Sequence, residues 1–493
     1  MELHEFLAIL AASTVIAAFL FAFCRYPMVF FCLLVIWISF IWRTISIAYL
    51  DVAGPLYAYQ IYRYVGDGAY SLVFACACLL VLLPFFYFLG DRGTAYLAGL
   101  VRESASEEGD ARPRRAASVA DLATGLTVLL ILGLYGSLLL QGRIPLLSGI
   151  EQAEFRGEAA TFLHNLFMPV QMIFAFTFGS VFTHHYLRTR RFHVGIIAAC
   201  AAIVAYAVLT GNRFSFFFSF STMFVAPFAV AVGVETWRRH GSMPALAWPA
   251  ATFSRGQLMF AGVAIAGLAT IVAAALVNSY FGIRFQDAGE AWFALQQRIL
   301  VQPTELTWSS LQRVLGVEAV DRWSVLDFLF ANPIDIGRNT TPQYLMLTYV
   351  GSDVTTSHLA VGAQFAGGFP EVFFEALGPL WAWPVVAILG WITAGLVFLV
   401  LRAVVLGHFA SVLFGVYLLF GLLVMYIGGM VNFAMQATYF AKLALFLTAF
   451  GLENLALARG TRLIPWHLAQ WREIPSRFAM TLGFRSDSVR SPA

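Results

Sequence analysis

The sequence predicts an all-α polytopic membrane protein, and three observations carry that class. Of its 493 residues, 60% are hydrophobic and only 12% are charged, about half the charge of an average soluble domain. Mean hydropathy is +0.78. The apolar residues also fall in unbroken runs long enough to cross a hydrocarbon layer of ~30 Å. So little charge cannot cover a water-facing exterior, and a chain of several soluble domains is excluded.

Eleven runs are long enough to span, near 6–24, 27–49, 70–89, 122–140, 162–187, 194–210, 214–233, 258–277, 373–401, 408–429 and 432–455. The first has no basic residue ahead of Arg25 and reads as a retained helix, not a leader. The second blurs towards Arg43 and Asp51. Arginines in short connections mark the cytoplasmic side: Arg188 to Arg191, Arg238 with Arg239 and Arg255, Arg402, and Arg459 to Arg477 alternate to one face. That places residues 1–277 as spans one to eight, with a cytoplasmic linker over 91–121. The polar, mixed-charge part of it, Glu103 to Ala117, reads as mobile and carries no site. Residues 278–370 then form one large external loop between spans eight and nine. Helix-like stretches (Glu290 to Leu300, Ser309 to Val317) alternate in it with turn-rich ones around Ala331 and Arg338. Residues 371–455 hold spans nine to eleven, and 456–493 a cytoplasmic tail.

The net charge of +3 is too small and too scattered for nucleic acid. All five cysteines (Cys24, Cys32, Cys76, Cys78, Cys200) lie in or beside apolar runs, so neither a disulfide framework nor a zinc site is expected. No Walker-type loop, Gly-x-Ser-x-Gly, His-Glu-x-x-His or external Asp-x-Asp occurs, which disfavours an ATP-driven pump and a metal-dependent nucleotide-sugar enzyme. No cofactor is implied. Lys442 is the only lysine, in mid-span, where a carboxylate or a polar cavity should answer it.

Arginine at membrane depth is costly and usually faces a wet interior. Three external span ends carry one: Arg143 with Arg156 beyond it, Arg213 in the tight turn between spans six and seven, and Arg284 after span eight. Guanidiniums converging at one depth would suit a pyrophosphate through forked donors, although snorkelling to headgroups also fits, Arg143 above all. The large loop adds Arg298, Arg313, Arg322, Arg338 and His358. An imidazole there could deprotonate a hydroxyl, or be a plain surface residue. Glu371 and Glu375 stand four apart at the mouth of span nine, on one helical face. Either could act as a base, accept from a sugar hydroxyl, or mark the water boundary.

Several of these stretches resemble the Wzy-type O-antigen polymerases, the oligosaccharide repeat unit polymerases. Gly142-Arg-Ile-Pro-Leu-Leu-Ser148, with Arg156 downstream, is similar to their external Gly-x-Ile-Pro-Leu loop. Gly211-Asn-Arg213 is similar to their Gly-x-Arg at a span junction. Gly367-Gly-Phe-Pro-Glu-Val-Phe-Phe-Glu-Ala-Leu-Gly378 resembles the stretch that follows their long loop, with Leu377-Gly378 where an aromatic–glycine pair is usual. The likeness runs over about 120 to 400. It implies a GT-C-like glycosyltransferase in a bacterial inner membrane, its active site on the periplasmic face. The implied substrate is an undecaprenyl-pyrophosphate-linked oligosaccharide, with a flippase and a chain-length regulator as partners. Arginines (143, 156, 213, 284, 298 and 338) would hold pyrophosphate and glycan, and His358 or Glu371 would serve as base. Two other activities keep the same needs: an O-antigen ligase, and a transporter or flippase of a lipid-linked or polyanionic glycan. Visible internal repeats would favour transport, and none is seen.

Overall fold

The computed structural model describes residues 2–106, 119–142, 144–145, 155, 161–189, 191–210, 214–248, 287–316, 321–330, 341–360, 365 and 367–459, with single positions at 256, 259, 263, 267 and 270. The chain is a multi-pass membrane protein of helices. Among the described residues, nine helices are long and apolar enough to cross a membrane, and Val194–Leu209 is a shorter apolar one. These ten match ten of the eleven expected spans. The eleventh, at 258–277, lies almost wholly outside the described residues.

The first helix, α1 (Leu3–Arg25), is followed by α2 (Pro27–Cys32) and α3 (Leu34–Val52). Pro27 opens α2, a position where its missing N–H costs nothing. The second expected span is therefore broken at Leu33 and runs on past its expected end at 49 to Val52, with Arg43 well inside α3. A two-stranded antiparallel hairpin, β1 (Leu56–Ala58) and β2 (Arg63–Val65), leads to α4 (Tyr70–Leu89). The stretch expected to be linker opens as helix instead: α5 (Asp91–Ser106) continues α4 as one apolar span, Tyr70–Arg102. Asp91 suits a helix N-terminus, and Thr94 and Leu97 are buried in α5, so the segment is held by packing. Residues 107–118 lie outside the described residues.

Next come α6 (Val119–Gln141), α7 (Phe162–Phe167), α8 (Gln171–Thr189), α9 (Val194–Leu209) and α10 (Phe214–His240). The large loop carries α11 (Ala288–Gln296), a π-turn (Gln297–Val301), α12 (Glu305–Leu315), α13 (Arg322–Phe330), α14 (Thr341–Tyr349) and α15 (Ser352–Ala360). The chain ends in α16 (Glu371–Leu406), α17 (Phe409–Gly428), α18 (Asn432–Met435) and α19 (Ala437–Ala458).

Helix α16 packs along α4, α8 along α10, and α17 along α19. Small residues allow these approaches, as expected where lipid removes any hydrophobic drive between helices. At Gly390 of α16, an added Cβ would lie 2.8 Å from the Leu80 carbonyl of α4. One end of the bundle gathers the basic residues: Arg25 pairs with Asp91 at 3.2 Å, Arg239 with Glu235, and His193 meets Asp121. There Glu453 also caps α17, accepting from the backbone N–H groups of Ala410 and Ser411 at 3.0 Å. The opposite end receives the finish of α3, the hairpin, the start of α4, the loop helices and the start of α16. It is the end that the positive-inside rule leads one to expect on the external side.

Among the described residues Lys442 answers to a ring and not to a carboxylate: its Nζ stands 5.2 Å from the centre of Tyr417.

Candidate functional site

Helix α12 is the centre of the end that lies opposite the basic cluster. The sequence reading started a helix at Ser309, but the helix begins at Glu305, directly after Pro303 and Thr304. All seven residues from Glu305 to Leu311 are buried, although Glu305, Thr307, Ser309 and Ser310 are polar. A helix this polar can be enclosed only if its side chains find partners.

Three of its side chains reach three acidic residues of the bundle. Trp308 donates Nε1–H to Asp51 Oδ1 at 3.0 Å, and Asp51 also accepts from the Ser71 N–H at 2.8 Å. Thr307 donates to Glu371 at 3.0 Å. Ser310 donates to Glu375 at 2.7 Å.

Arg43 completes the layer. Its Nη1 donates to the Phe369 carbonyl at 2.5 Å and its Nη2 to Thr307 Oγ1 at 2.6 Å. Nη2 also pairs with Glu371 at 3.3 Å, and the guanidinium carbon lies 4.9 Å from the centre of the Phe74 ring. The backbone N–H of Gly368 donates to the same Glu371 oxygen. Gly368 itself has φ +120°, and an added Cβ would collide with the Gly429 carbonyl. Only glycine serves here.

Glu375 belongs to a second cluster with α14: Tyr349 donates to it, and its charge bears on the Tyr344 hydroxyl. Burial and the nearby carboxylate push the Tyr344 hydroxyl up to about 12 and that of Tyr349 higher still. Arg313 stands 5.7 Å and Arg63 stands 5.9 Å from the centre of the Tyr349 ring.

Glu371 and Glu375 do share the α16 face expected of them. They do not mark a water boundary, because both are fully enclosed (0% exposed). Glu371 as a free base is hard to reconcile with this geometry, since its oxygens are already taken up by Arg43, Thr307 and Gly368. His358 sits in the last turn of α15, half-buried, its ring 4.9 Å from that of Phe365. Arg298 is exposed on the π-turn and donates to Gln302 at 2.7 Å. Arg143, Arg156, Arg213, Arg284 and Arg338 lie outside the described residues.

Glu305 differs from the other three acids. It is fully buried (0% exposed), and among the described residues neither carboxyl oxygen has a hydrogen-bond partner. Burial pushes its carboxyl up to about 8, against the pull of Arg298. Sequence reading passed over Glu305, and also Arg43 and Asp51. Arg43 was visible as an arginine inside an apolar run, the signature applied to Lys442 but not to it. Glu305 had no such mark.

Residues 335–441 match DUF6418, a family of unknown function. The match takes in α14 to α18 and the start of α19, but neither Arg43 nor Glu305. No match was found among curated proteins or among solved structures.

Proposed function

We propose that this protein is a membrane glycosyltransferase that joins lipid-pyrophosphate-linked oligosaccharide units into polysaccharide, without a metal, at the external face of a bacterial cytoplasmic membrane. The observation that carries the reading is the enclosed acidic and guanidinium layer at one end of the bundle, covered by a polar helix of the long loop. A transferase whose donor is anchored in lipid needs such a place: a charged, water-poor site at headgroup depth, roofed by soluble structure.

Pyrophosphate is already a good leaving group, so the chemistry needs positive charge at departure and a proton acceptor on the attacking hydroxyl. Arginines supply the first through forked donors. In this reading Arg143, Arg156, Arg213, Arg284, Arg298 and Arg338 hold pyrophosphate and glycan. His358 lies on the same long loop, where its imidazole can bond to the glycan. Glu371 is assigned to holding Arg43 and the loop's return, not to the reaction.

The test is reconstitution of the purified protein in vesicles with undecaprenyl-pyrophosphate-linked oligosaccharide. The expected result is a ladder of longer glycans with release of the lipid pyrophosphate. Movement of intact substrate across the bilayer, with no new glycosidic bond, would establish a transporter instead.

A further inference from the structure

Among the described residues, every buried carboxyl group at the α12 end is held by donors except one. Asp51, Glu371 and Glu375 each accept at least two hydrogen bonds, whereas Glu305 accepts none. An enclosed polar group without a partner is costly, and native structures keep few of them. One helical turn on, Ser309 is buried as well and its hydroxyl is likewise unpartnered. Positions 305 and 309 share a stripe of α12, so three unsatisfied oxygens line one side of the helix. The same stripe continues to Gln312 and Gly316, which are both exposed.

The segment just before Glu305 is irregular in a way that often accompanies function. The π-turn at 297–301 closes with the Gln302 N–H on the Gln297 carbonyl at 2.9 Å. It is pinned to α3 by Trp42, which donates to the Ile299 carbonyl at 2.8 Å, and by Ser46, which donates to the Leu300 carbonyl at 2.8 Å. Ser46 also meets Thr304 at 2.6 Å. The start of α12 is thereby fixed, and Glu305 with it.

We propose that Glu305 is the catalytic residue that takes the proton of the acceptor's hydroxyl, with Ser309 bonding to that same hydroxyl. This rests on the transferase reading and names the acceptor-side chemistry of that site. The hydroxyl oxygen bonds to the donor's anomeric carbon as the bond from that carbon to the pyrophosphate oxygen breaks. The electron pair leaves with the pyrophosphate, and the proton passes to the Glu305 carboxylate and later to water. A carboxyl titrating near the working pH suits this task.

The other charged and titratable groups packed against α12 are engaged elsewhere. Arg43 and Asp51 on α3 and Glu371 and Glu375 on α16 meet the donors described above. Arg63 on β2 and Tyr344 and Tyr349 on α14 belong to the Glu375 cluster, and Tyr70 on α4 rests edge-on against Trp308. Arg298 is the charge that bears on Glu305.

The experiment is polymer formation in vesicles, followed from pH 6 to 9 with undecaprenyl-pyrophosphate-linked oligosaccharide extracted from a host lacking this protein. The wild-type rate is expected to rise up to a limb near pH 8. Glu305→Gln is expected to lose about 10²–10⁴-fold and the limb with it, while eluting from gel filtration like the wild type. Glu305→Asp is expected to keep the limb at a reduced rate, and it decides the matter should the glutamine variant not fold. A rate within threefold of wild type for Glu305→Gln, or an unreduced rate for Glu305→Asp, would overturn the proposal and leave the transferase reading standing. A wild type that makes no new glycosidic bond overturns both.

Discussion

Arg43 and Glu371 meet at 3.3 Å across two spanning helices, with side chains 6% and 0% exposed. Around them Thr307, Phe369 and Gly368 supply the remaining hydrogen bonds. A pair so enclosed adds little net stability over an apolar pair of equal volume, but removing one partner strands the other charge.

The first prediction follows from that asymmetry. Arg43→Ala and Glu371→Ala should each cost ~3–5 kcal/mol, whereas the double change to methionine should recover most of the loss. Thermal unfolding of the four proteins in detergent, followed by tryptophan fluorescence, checks it. Equal losses for single and double variants would mean that the pair is not the unit.

Glu375 offers a graded version of the same test. Tyr349→Phe and Ser310→Ala each take one donor from a buried carboxylate, at about 1–3 kcal/mol each. Because both act on one oxygen, the double variant should fall short of the sum. Unfolding midpoints in a double-mutant cycle measure the coupling, and strict additivity would contradict the shared acceptor.

Stability should also depend on pH through Glu305. Its carboxyl is raised from an ordinary 4.5 to about 8, so the folded protein holds a proton that the unfolded chain releases. The stability linked to that proton is complete below pH 4.5 and is lost as pH rises to 8. Relative to Glu305→Gln, the wild type should lose melting temperature over that window and then level off. Parallel curves for the two proteins would refute the buried, protonated carboxyl.

The close approach at Gly368 predicts intolerance. Alanine there must hold φ +120° and also push against the Gly429 carbonyl. The backbone conformation alone costs on the order of 1–3 kcal/mol. Gly368→Ala should accumulate poorly in membranes, and Gly99→Ala, whose Cβ would meet open space, should not. Quantitative immunoblots of membrane fractions compare them.

Orientation is tested at the loop. A cysteine at Ser352, in a background lacking the five native cysteines, should react with an impermeant thiol reagent in cells whose outer membrane alone is opened. Labelling only after lysis would invert the topology and remove the external site.

The spans were legible because hydropathy responds to the same solvent that orders the helices. Ten of the runs read from sequence coincide with described helices, and α11 with its π-turn falls on the stretch from Glu290 to Leu300. The linker failed where α5 begins, because Thr94 and Leu97 are buried by distant helices that no local pattern announces. Glu371 and Glu375 could be placed on one face by spacing alone. Their enclosure could not, since it depends on α12 folding over them from elsewhere in the chain. The stretch from Arg43 to Asp51 stayed ambiguous in the sequence because the partners of both residues are remote. Glu305 was overlooked because an acid beside a proline in a loop looks like an ordinary solvated helix start.

The distance along the chain between Arg43 and Glu371 has a consequence for how the protein is made. The two are 328 positions apart, so at about 5–20 residues per second synthesis separates them by about 16–66 s. During that interval the guanidinium of α3 has no carboxylate, and a lone arginine resists the hydrocarbon interior. Helix α3 should therefore wait near the headgroups, beside α1 and α4, until α16 arrives. Ribosome-bound chains stalled at residue 360 should leave a cysteine at Ser46 open to an impermeant reagent, and chains that have released residue 406 should shield it. Late threading of an early helix would make the membrane insertase, as much as the finished fold, the judge of which substitutions at Arg43 survive.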